Sequence, residues 1–546
     1  MSEPFSLGPD CQGSSTCNQP ICLNRRPKGH KGSSAGRAQV FNPQAICIQQ
    51  THWTLADYDL RLLARQPLNS SGHCTYMKQT RLAVILLLLA LVSKASAGPA
   101  ASGGIGVYTE NPFYWEYQGK PVLLLGGSSG PKNALNDEGM FLWPEVASSL
   151  DKLVSAGGNY TRCLMSGRLR GQPLWPFLNV EGRFDLDRWD ESYWHCFETF
   201  LVETKKRAII TDIELWATFD YARLPWTKNP FNPTNNGNYT AQETGLPGEV
   251  NSPAYLVQNP FYQTVPNEGK IPAVLKYQKR FVDKILSYTL QFDNVLYCMD
   301  NETAGGPTWG AYWANYVRNA ATKAGKRVYL TEMFESHDLE HASYRNVIDC
   351  PQTYDFIEIS QNNHQSRQTH FDKIQGVRQR ILSLPRPLSN VKIYGSDGSG
   401  LFGTSREATE RFWRDIFAGC ASARFHEKHL GDSELAQRMV RSAREVTSAF
   451  DLFHCTPHNE LLQGRAPNQA FCLAHPGKEY AVYFPTGGQV QLNTPELEGP
   501  PELRWYDIEH GIWAEPGRVE QQRPITLTRP GEGQWAVLVR SSRIPR

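Results

Sequence analysis

The chain has 546 residues, 40% hydrophobic and 11% aromatic, and its 56 Lys and Arg against 54 Asp and Glu leave a formal charge of +2. That balance excludes a dedicated nucleic-acid or other polyanion binder, which needs surplus positive charge. The length calls for at least two domains, and ordinary Gly and Pro usage excludes a fibrous repeat or disorder throughout.

Residues 1–76 are rich in Ser, Gly, Pro and Gln and low in apolar periodicity, the composition of a disordered leader that buries no core. Met77-Lys-Gln-Thr-Arg81 is then followed by the apolar run Leu82–Val92 and by Ala95-Ser-Ala97. A basic start, 11 apolar residues and small residues at −3 and −1 form a secretory signal, 77–97, with cleavage before Gly98. The run is shorter than the roughly 20 residues of a spanning helix, so no stable membrane insertion is expected after cleavage. Because a signal works at an N-terminus, Met77 is the expected start, and residues 1–76 are expected to be translated upstream sequence. The alternative is a real leader with an internal anchor. The expected location is secreted or periplasmic.

From Gly98 to Cys455 strand-like runs alternate with helical periodicity. The strands are expected at Pro121–Gly126, Asn159–Met165, Ala208–Phe219, Asn294–Met299, Arg327–Phe334, Tyr354–Ser360, Asn390–Gly395 and Ala418–Phe425. Helices are expected from Pro144, after the Asp-rich start Asp185-Leu-Asp187, after Pro272, through Ile374, Val377 and Ile381, and after Thr404-Ser405. The segment between the fifth and sixth strands carries only a weak helical pattern. Eight strand and helix pairs match a (β/α)8 TIM barrel, an α/β fold, over residues 98–455. A doubly wound open sheet is second, because Gly126-Gly-Ser-Ser-Gly130 lacks the GxGxxG pattern. Residues 456–546 change to short alternating runs, Ala470–Leu473, Tyr480–Phe484, Gln489–Leu492, Leu503–Tyr506, Ile525–Leu527 and Trp535–Val539, which predict a small antiparallel β-sandwich.

Barrel chemistry sits at the C-terminal strand ends. The fourth run ends in Asp300-Asn301-Glu302 and the seventh in Gly395-Ser-Asp397-Gly398. Cleaving a glycosidic bond needs one carboxyl to protonate the leaving oxygen and another to attack C1 or activate water, and Glu302 and Asp397 meet that demand. Glu302 could otherwise cap the following helix, and Asp397 could be a turn residue. Glu332, ending the fifth run, is the reserve nucleophile or a sugar ligand, and Glu214 reads as a satisfied interior carboxylate. Sugar rings favour aromatic platforms beside hydroxyl-binding polar groups. Trp175, Trp216, Tyr221, Trp226 and Trp309 are candidates for the first, with core packing an equal reading, and Asp220, Gln361, Asn362, Asn363 and His364 for the second. No HExxH, close His/Cys cluster or GxSxG elbow occurs, so neither metal nor cofactor is expected. A glycan on the formal acceptor Asn301 would block the site, which fits a bacterial cell.

Asn301-Glu302 after strand four, a carboxylate after strand seven and Arg162 after strand two together resemble the clan A, cellulase-like glycoside hydrolases. Asp212–Tyr221, Asn229–Asn236 and Ser360–His364 resemble the apiosidase-like bacterial proteins of that group, a barrel followed by a β domain labelled collagen-binding. The resemblance implies Glu302 as acid/base, Asp397 as nucleophile, Asn301 on the sugar 2-hydroxyl and Arg162 supporting the seventh-strand carboxylate. Two departures stand out: Asp replaces the usual Glu on strand seven, and Arg424-Phe-His426 replaces the usual aromatic after strand eight. The shorter Asp widens the carboxyl separation; retention needs roughly 5–5.5 Å and inversion roughly 6.5–9.5 Å, and retention is the favoured expectation. The functional expectation is a secreted glycoside hydrolase acting on a polysaccharide or oligosaccharide. The alternative is a catalytically silent carbohydrate-binding or cell-surface barrel.

Overall fold

Among the described residues, eight short strands that pair in parallel, each followed by a helix, carry the larger of two structural parts. They are β1 (Leu124–Gly126), β2 (Tyr160–Leu164), β3 (Ile210–Ala217), β4 (Val295–Asn301), β5 (Leu330–Thr331), β6 (Ile357–Glu358), β7 (Leu388–Ser389) and β8 (Ser422–Arg424). The computed structural model describes residues 103–127, 140–142, 146–167, 174–250, 259–303, 305–395, 403–426, 433–494, 497–518 and 523–541. The leader 1–76, the signal 77–97, Pro144 and Asp397 lie outside them. All described residues belong to one compact unit, Leu91–Arg546.

The strands pair as β2-β3-β4-β5, β6-β7 and β8-β1, with registers Tyr160↔Ile210, Thr211↔Val295, Ile357↔Leu388 and Ser422↔Leu124. Backbone hydrogen bonds join the groups, among them Asn159 N to Leu125 O (2.9 Å), Asp355 N to Leu330 O (2.8 Å) and Ala421 N to Leu388 O (2.8 Å). Every residue of β3 is buried, as expected of a parallel strand covered on both faces. On one side the strands enclose Leu124, Tyr160, Ile210, Leu296, Cys298, Tyr329, Met333, Phe356 and Val391. Trp115 closes the end of this interior nearest the strand starts, edge-on to Tyr329 and Phe356 at 5.4 and 5.3 Å.

The helices are α1 (Val146–Ser155), α2 (Glu191–Lys206), α3 (Pro272–Thr289), α4 (Pro307–Lys323), the single turn Arg345–Ile348, α5 (Arg367–Arg380), α6 (Ser405–Phe417) and α7 (Glu434–Thr447). Pro272 occupies the first turn of α3, and Thr404 and Glu407 form a capping box on α6. The start expected at Asp185 is corrected: Arg183–Trp189 is a strand paired with Phe177–Val180, because Glu181 and Gly182 both take positive φ and turn the chain into a hairpin. Asp190 then caps α2, accepting from Ser192 N. Pro121–Gly126 divides into an antiparallel strand, Lys120–Val122, and β1. The seventh strand pairs at Leu388–Ser389 rather than across 390–395, where only Ile393 bridges Phe425. Its backbone is diverted to side chains: Val391 N donates to Ser360 Oγ (2.9 Å) and Lys392 N to Asn390 Oδ1 (3.1 Å).

The C-terminal segment forms two antiparallel sheets. One contains β9 (Phe471–His475), β10 (Glu479–Phe484), β12 (Pro501–Asp507) and β14 (Trp535–Ser541); the other is built on β11 (Gln489–Leu492) and β13 (Ile525–Thr528). Cys472, Val482, Phe484, Val490, Ile525, Leu527 and Val537 fill the space between them. The alternate residues Phe471, Leu473, Ala481, Tyr483 and Leu538 are buried in the α/β core instead. Trp413 of α6 stacks on Tyr483 (5.8 Å, 25°), and Gln534 Nε2 donates to Thr409 Oγ1 of α6 (2.7 Å). The seven cysteines after Met77 are free thiols. Among the described residues no helix is long and apolar enough to cross a membrane.

Candidate active site

Glu302 leaves the end of β4 with φ +55°, a left-handed conformation that costs a non-glycine residue about 1 kcal/mol or more. This turn sets its carboxylate against Lys392, whose Nζ donates to Glu302 Oε1. The lysine side chain is only 2% exposed. Burial raises the Glu302 pKa, but the Lys392 ammonium, the Arg162 guanidinium and a hydrogen bond from Gln361 outweigh it and hold the group at about 2. A proton donor near neutral pH needs a raised pKa, and these partners hold Glu302 low instead. Arg162, expected to support a seventh-strand carboxylate, is buried and paired with Glu214 at 3.5 Å.

A second carboxyl stands on the neighbouring strand end. Thr303 bridges Phe334 in parallel fashion, and Glu335 N donates to Thr303 O (3.3 Å), which ties the Glu335 backbone to the residue after Glu302. Glu335 lines a pocket of about 390 Å³ with Thr303, Phe334, His337, Asp338 and Gln365. Arg223 Nη2 lies 3.6 Å from its Oε1. Burial first, then the negative charge of Glu302, pushes the Glu335 pKa up to about 7, against the pull of Arg223 and Lys392. Beside it His337 and His364 stack at 3.4 Å and 8°. Burial lowers both imidazoles, His364 to about 4, with the Glu302 charge opposing the fall.

Of the residues expected from sequence, Glu302, Arg162, Gln361 and His364 converge here. Asn301 adjoins them, buried, its Oδ1 without a hydrogen-bond partner among the described residues. Others are corrected. Glu332 is 1% exposed, accepts from Tyr354 OH (2.6 Å) and faces α4, where a Cβ on Gly310 would stand 1.9 Å from its Oε2; no sugar reaches it. Trp216 packs against Phe281, Trp309 and Trp313, and Tyr221 stacks on Phe261 at 4.2 Å, so both serve the core. Trp226 and Trp309 are fully buried. Asp220 is buried, and Asn362 is buried with its amide donating to His370 O (2.9 Å).

Glu335, Lys392 and Arg223 are absent from the sequence-based site. Glu335 was legible in principle: Tyr329 and Met333 face the strand interior whereas Leu330 and Phe334 face the helices, so a period of two places Glu335 with the first pair and Glu332 with the second. A larger cleft, about 670 Å³, lies between Gly103–Gly106, Asp293 and Lys326–Tyr329, at the strand starts and away from these carboxyls. Barrel chemistry belongs to the opposite end. Among the described residues no three His, Cys, Asp or Glu side chains are arranged to hold a metal ion.

Residues 456–540 match a family model described as "Putative collagen-binding domain of a collagenase". No curated protein matches the chain in sequence. Among solved structures, the fold is similar to a glycoside hydrolase family 5 protein from Bacteroides vulgatus, at 12% identity, TM-score 0.56, covering 81% of this chain and 94% of that one. It is also similar to a structure described as a glycoside hydrolase, at 12% identity and TM-score 0.55, covering 82% of this chain and 99% of that one. At such identity the likeness establishes a shared fold.

Proposed function

We propose that the chain is a secreted glycoside hydrolase that cleaves a polysaccharide or oligosaccharide with a pair of carboxylates at the mouth of a closed (β/α)8 barrel. The barrel spans 98–455 and is followed by the sandwich, 456–546. The observation that carries this reading is Glu302, an anionic carboxylate fixed at a strand end by Lys392, Arg162 and Gln361. An anion so fixed can meet the positive charge that develops at C1 without reorganising. The structural likeness to glycoside hydrolases supports the same reading. Asn301, Gln361 and His364 are the proposed hydroxyl partners, and Asp397 remains the sequence's nominee for the second carboxyl. Export through residues 77–97 leaves Gly98 as the mature N-terminus in this reading.

One observation favours the silent alternative. Lys392, on the seventh strand segment from which the second carboxylate is expected, already satisfies Glu302. Protein from Gly98 should be assayed against a panel of oligosaccharides and aryl glycosides. Sugar release that is lost in Glu302→Gln supports hydrolysis. Binding without release from any of them would favour the silent barrel.

A further inference from the structure

The segments that carry His337, His364 and Tyr394 follow the fifth, sixth and seventh strands, where the sheet ties them only weakly. The register of β6 with β7 ends at Glu358↔Ser389, and beyond it Val391 N turns to the Ser360 hydroxyl (2.9 Å). Two side chains take over from the sheet. Arg411 of α6, 3% exposed, donates from Nε to Gln365 O (3.1 Å) and from Nη1 to Tyr394 O (3.3 Å). Gln365 Nε2 in turn donates to His337 O (3.0 Å). The helix that presents Arg411 is itself held, since Trp413 stacks on Tyr483 and Gln534 Nε2 donates to Thr409 Oγ1. One guanidinium and one amide thus link three successive segments at the mouth. The rings on those segments lie in a row: His337 and His364 are parallel at 3.4 Å, and Tyr394 stands 6.4 Å from His364.

We propose that Arg411 is a positioning residue of the candidate site, which through Gln365 sets the stacked His337 and His364 as a wall that meets a sugar hydroxyl. The inference deepens the hydrolase reading above and rests on it for the substrate, while the placement of the two rings stands apart from that reading. A neutral imidazole carries one donor and one acceptor nitrogen, so its use to a hydroxyl depends on where the ring plane points. Two imidazolium rings at 3.4 Å would repel, and burial, which lowers both pKa values, suits the stack. The guanidinium fits the task because its planar fork reaches two carbonyls from one rigid group, whereas the ammonium of a lysine sits at the end of a flexible stem. His337 lines the pocket with Gln365 and Glu335, which puts the wall beside the carboxyl-bearing strand end. Arg411 lies behind the rings, on α6, and acts through them.

The test compares Arg411→Met, Arg411→Lys, Gln365→Met and His364→Gln in the full chain. Ring-labelled histidine reports the stack by nuclear magnetic resonance, and the aryl glycoside that the wild-type protein hydrolyses fastest is the kinetic probe. Stacked rings shield one another, so the wild type should show an upfield His364 ring signal and a nuclear Overhauser contact between His337 and His364. Both should vanish in Arg411→Met and in Gln365→Met while circular dichroism is unchanged. Arg411→Met should lower kcat/KM on the order of 10²-fold, the cost of a misplacement of about 1 Å, with Arg411→Lys between it and the wild type. Because Arg411 acts through His364, adding Arg411→Met to His364→Gln should lower kcat/KM no further, whereas a purely structural residue would multiply the loss. If Arg411→Met fails to fold, Gln365→Met carries the same ring measurement and the same double substitution. A ring contact that persists in the folded variants, or losses that multiply, would overturn the assignment and leave hydrolysis standing. If the wild type hydrolyses nothing on the panel, the hydrolase reading fails, and the ring contact alone decides whether Arg411 places the two imidazoles.

Discussion

The ammonium of Lys392, buried just beyond β7, meets the carboxylate of Glu302 at the end of β4, joining two strand ends separated by 90 residues of sequence. The pair is what makes the group after Asn301 an anion, although its partial burial acts in the opposite sense. Removing one partner of a buried pair leaves the other charge uncompensated, at about 3 kcal/mol or more.

Lys392→Met should therefore destabilise the protein, and the loss should depend on pH. Glu302 titrates at about 2 when folded and at about 4.3 when unfolded. A depressed pKa contributes stability that is present above the unfolded value and lost as pH falls through the folded one. Urea denaturation should show a deficit of about 3 kcal/mol at pH 7 that shrinks toward pH 2. An equal deficit at both pH values would mean that Lys392 acts through packing alone.

Glu332 carries the opposite sign. Burial pushes its pKa up to about 8, against an unfolded value of about 4.3, so between those values the folded state binds more protons than the unfolded state. Its contribution makes stability fall as pH rises across that window, by about 1.4 kcal/mol per pH unit where only the unfolded form is ionised. Glu332→Gln retains an acceptor for Tyr354 OH but removes the titration. The melting temperature of this variant should fall less between pH 5 and pH 8 than that of the wild type, and glycoside turnover should persist.

Trp216 tests platform against core. Fully enclosed by Phe281, Trp309 and Trp313, it should cost about 3–5 kcal/mol as Trp216→Ala, while Trp216→Phe should recover much of that loss. Sugar affinity of the folded Trp216→Phe protein, measured by calorimetry, should stay within a few-fold of wild type. A loss of affinity without a loss of stability would return Trp216 to the sugar site.

The C-terminal sheets are not independent of the barrel-like unit. Phe371 lies 4.6 Å from Phe471, and Trp413 stacks on Tyr483, so ending the chain at Cys455 would strip the cover from α5 and α6. The truncated protein is expected to be insoluble or molten, and Tyr483→Ala in the full chain should cost about 3–5 kcal/mol by thermal or urea unfolding. A soluble truncation with an unchanged melting temperature would contradict the shared core.

The alternation of strand and helix, the capping of α6 by Thr404, the proline start of α3 and the β strands after Cys455 were legible because each depends on neighbours within one turn or one strand. The hairpin at Arg183–Trp189 was missed because Trp189 and Tyr193 also fit helical spacing, and only pairing with Phe177–Val180 decides between the two periods. Phe471-Cys-Leu-Ala474 and Tyr480-Ala-Val-Tyr-Phe484 are apolar on both faces, which calls for cover on each, but that α5 and α6 cover the face bearing Phe471 and Tyr483 is decided only by the tertiary packing.

At the site the same division holds. That a glutamate follows Asn301 at the end of an apolar run is read directly from the chain, and the position of that run among the strands already puts the carboxylate at a strand end. Its protonation state was beyond local reading, since a pKa is set by charges within a few ångströms and those charges arrive from Arg162, Gln361 and Lys392 on other strands. The period of two already sets Glu332 and Glu335 on opposite faces of the strand, but only the packing shows that Glu332 meets α4, that a pocket opens at Glu335 and that Trp216 fills core. An aromatic or acidic side chain has the same chemistry wherever it stands, and only the packing around it determines whether water, substrate or another side chain meets it.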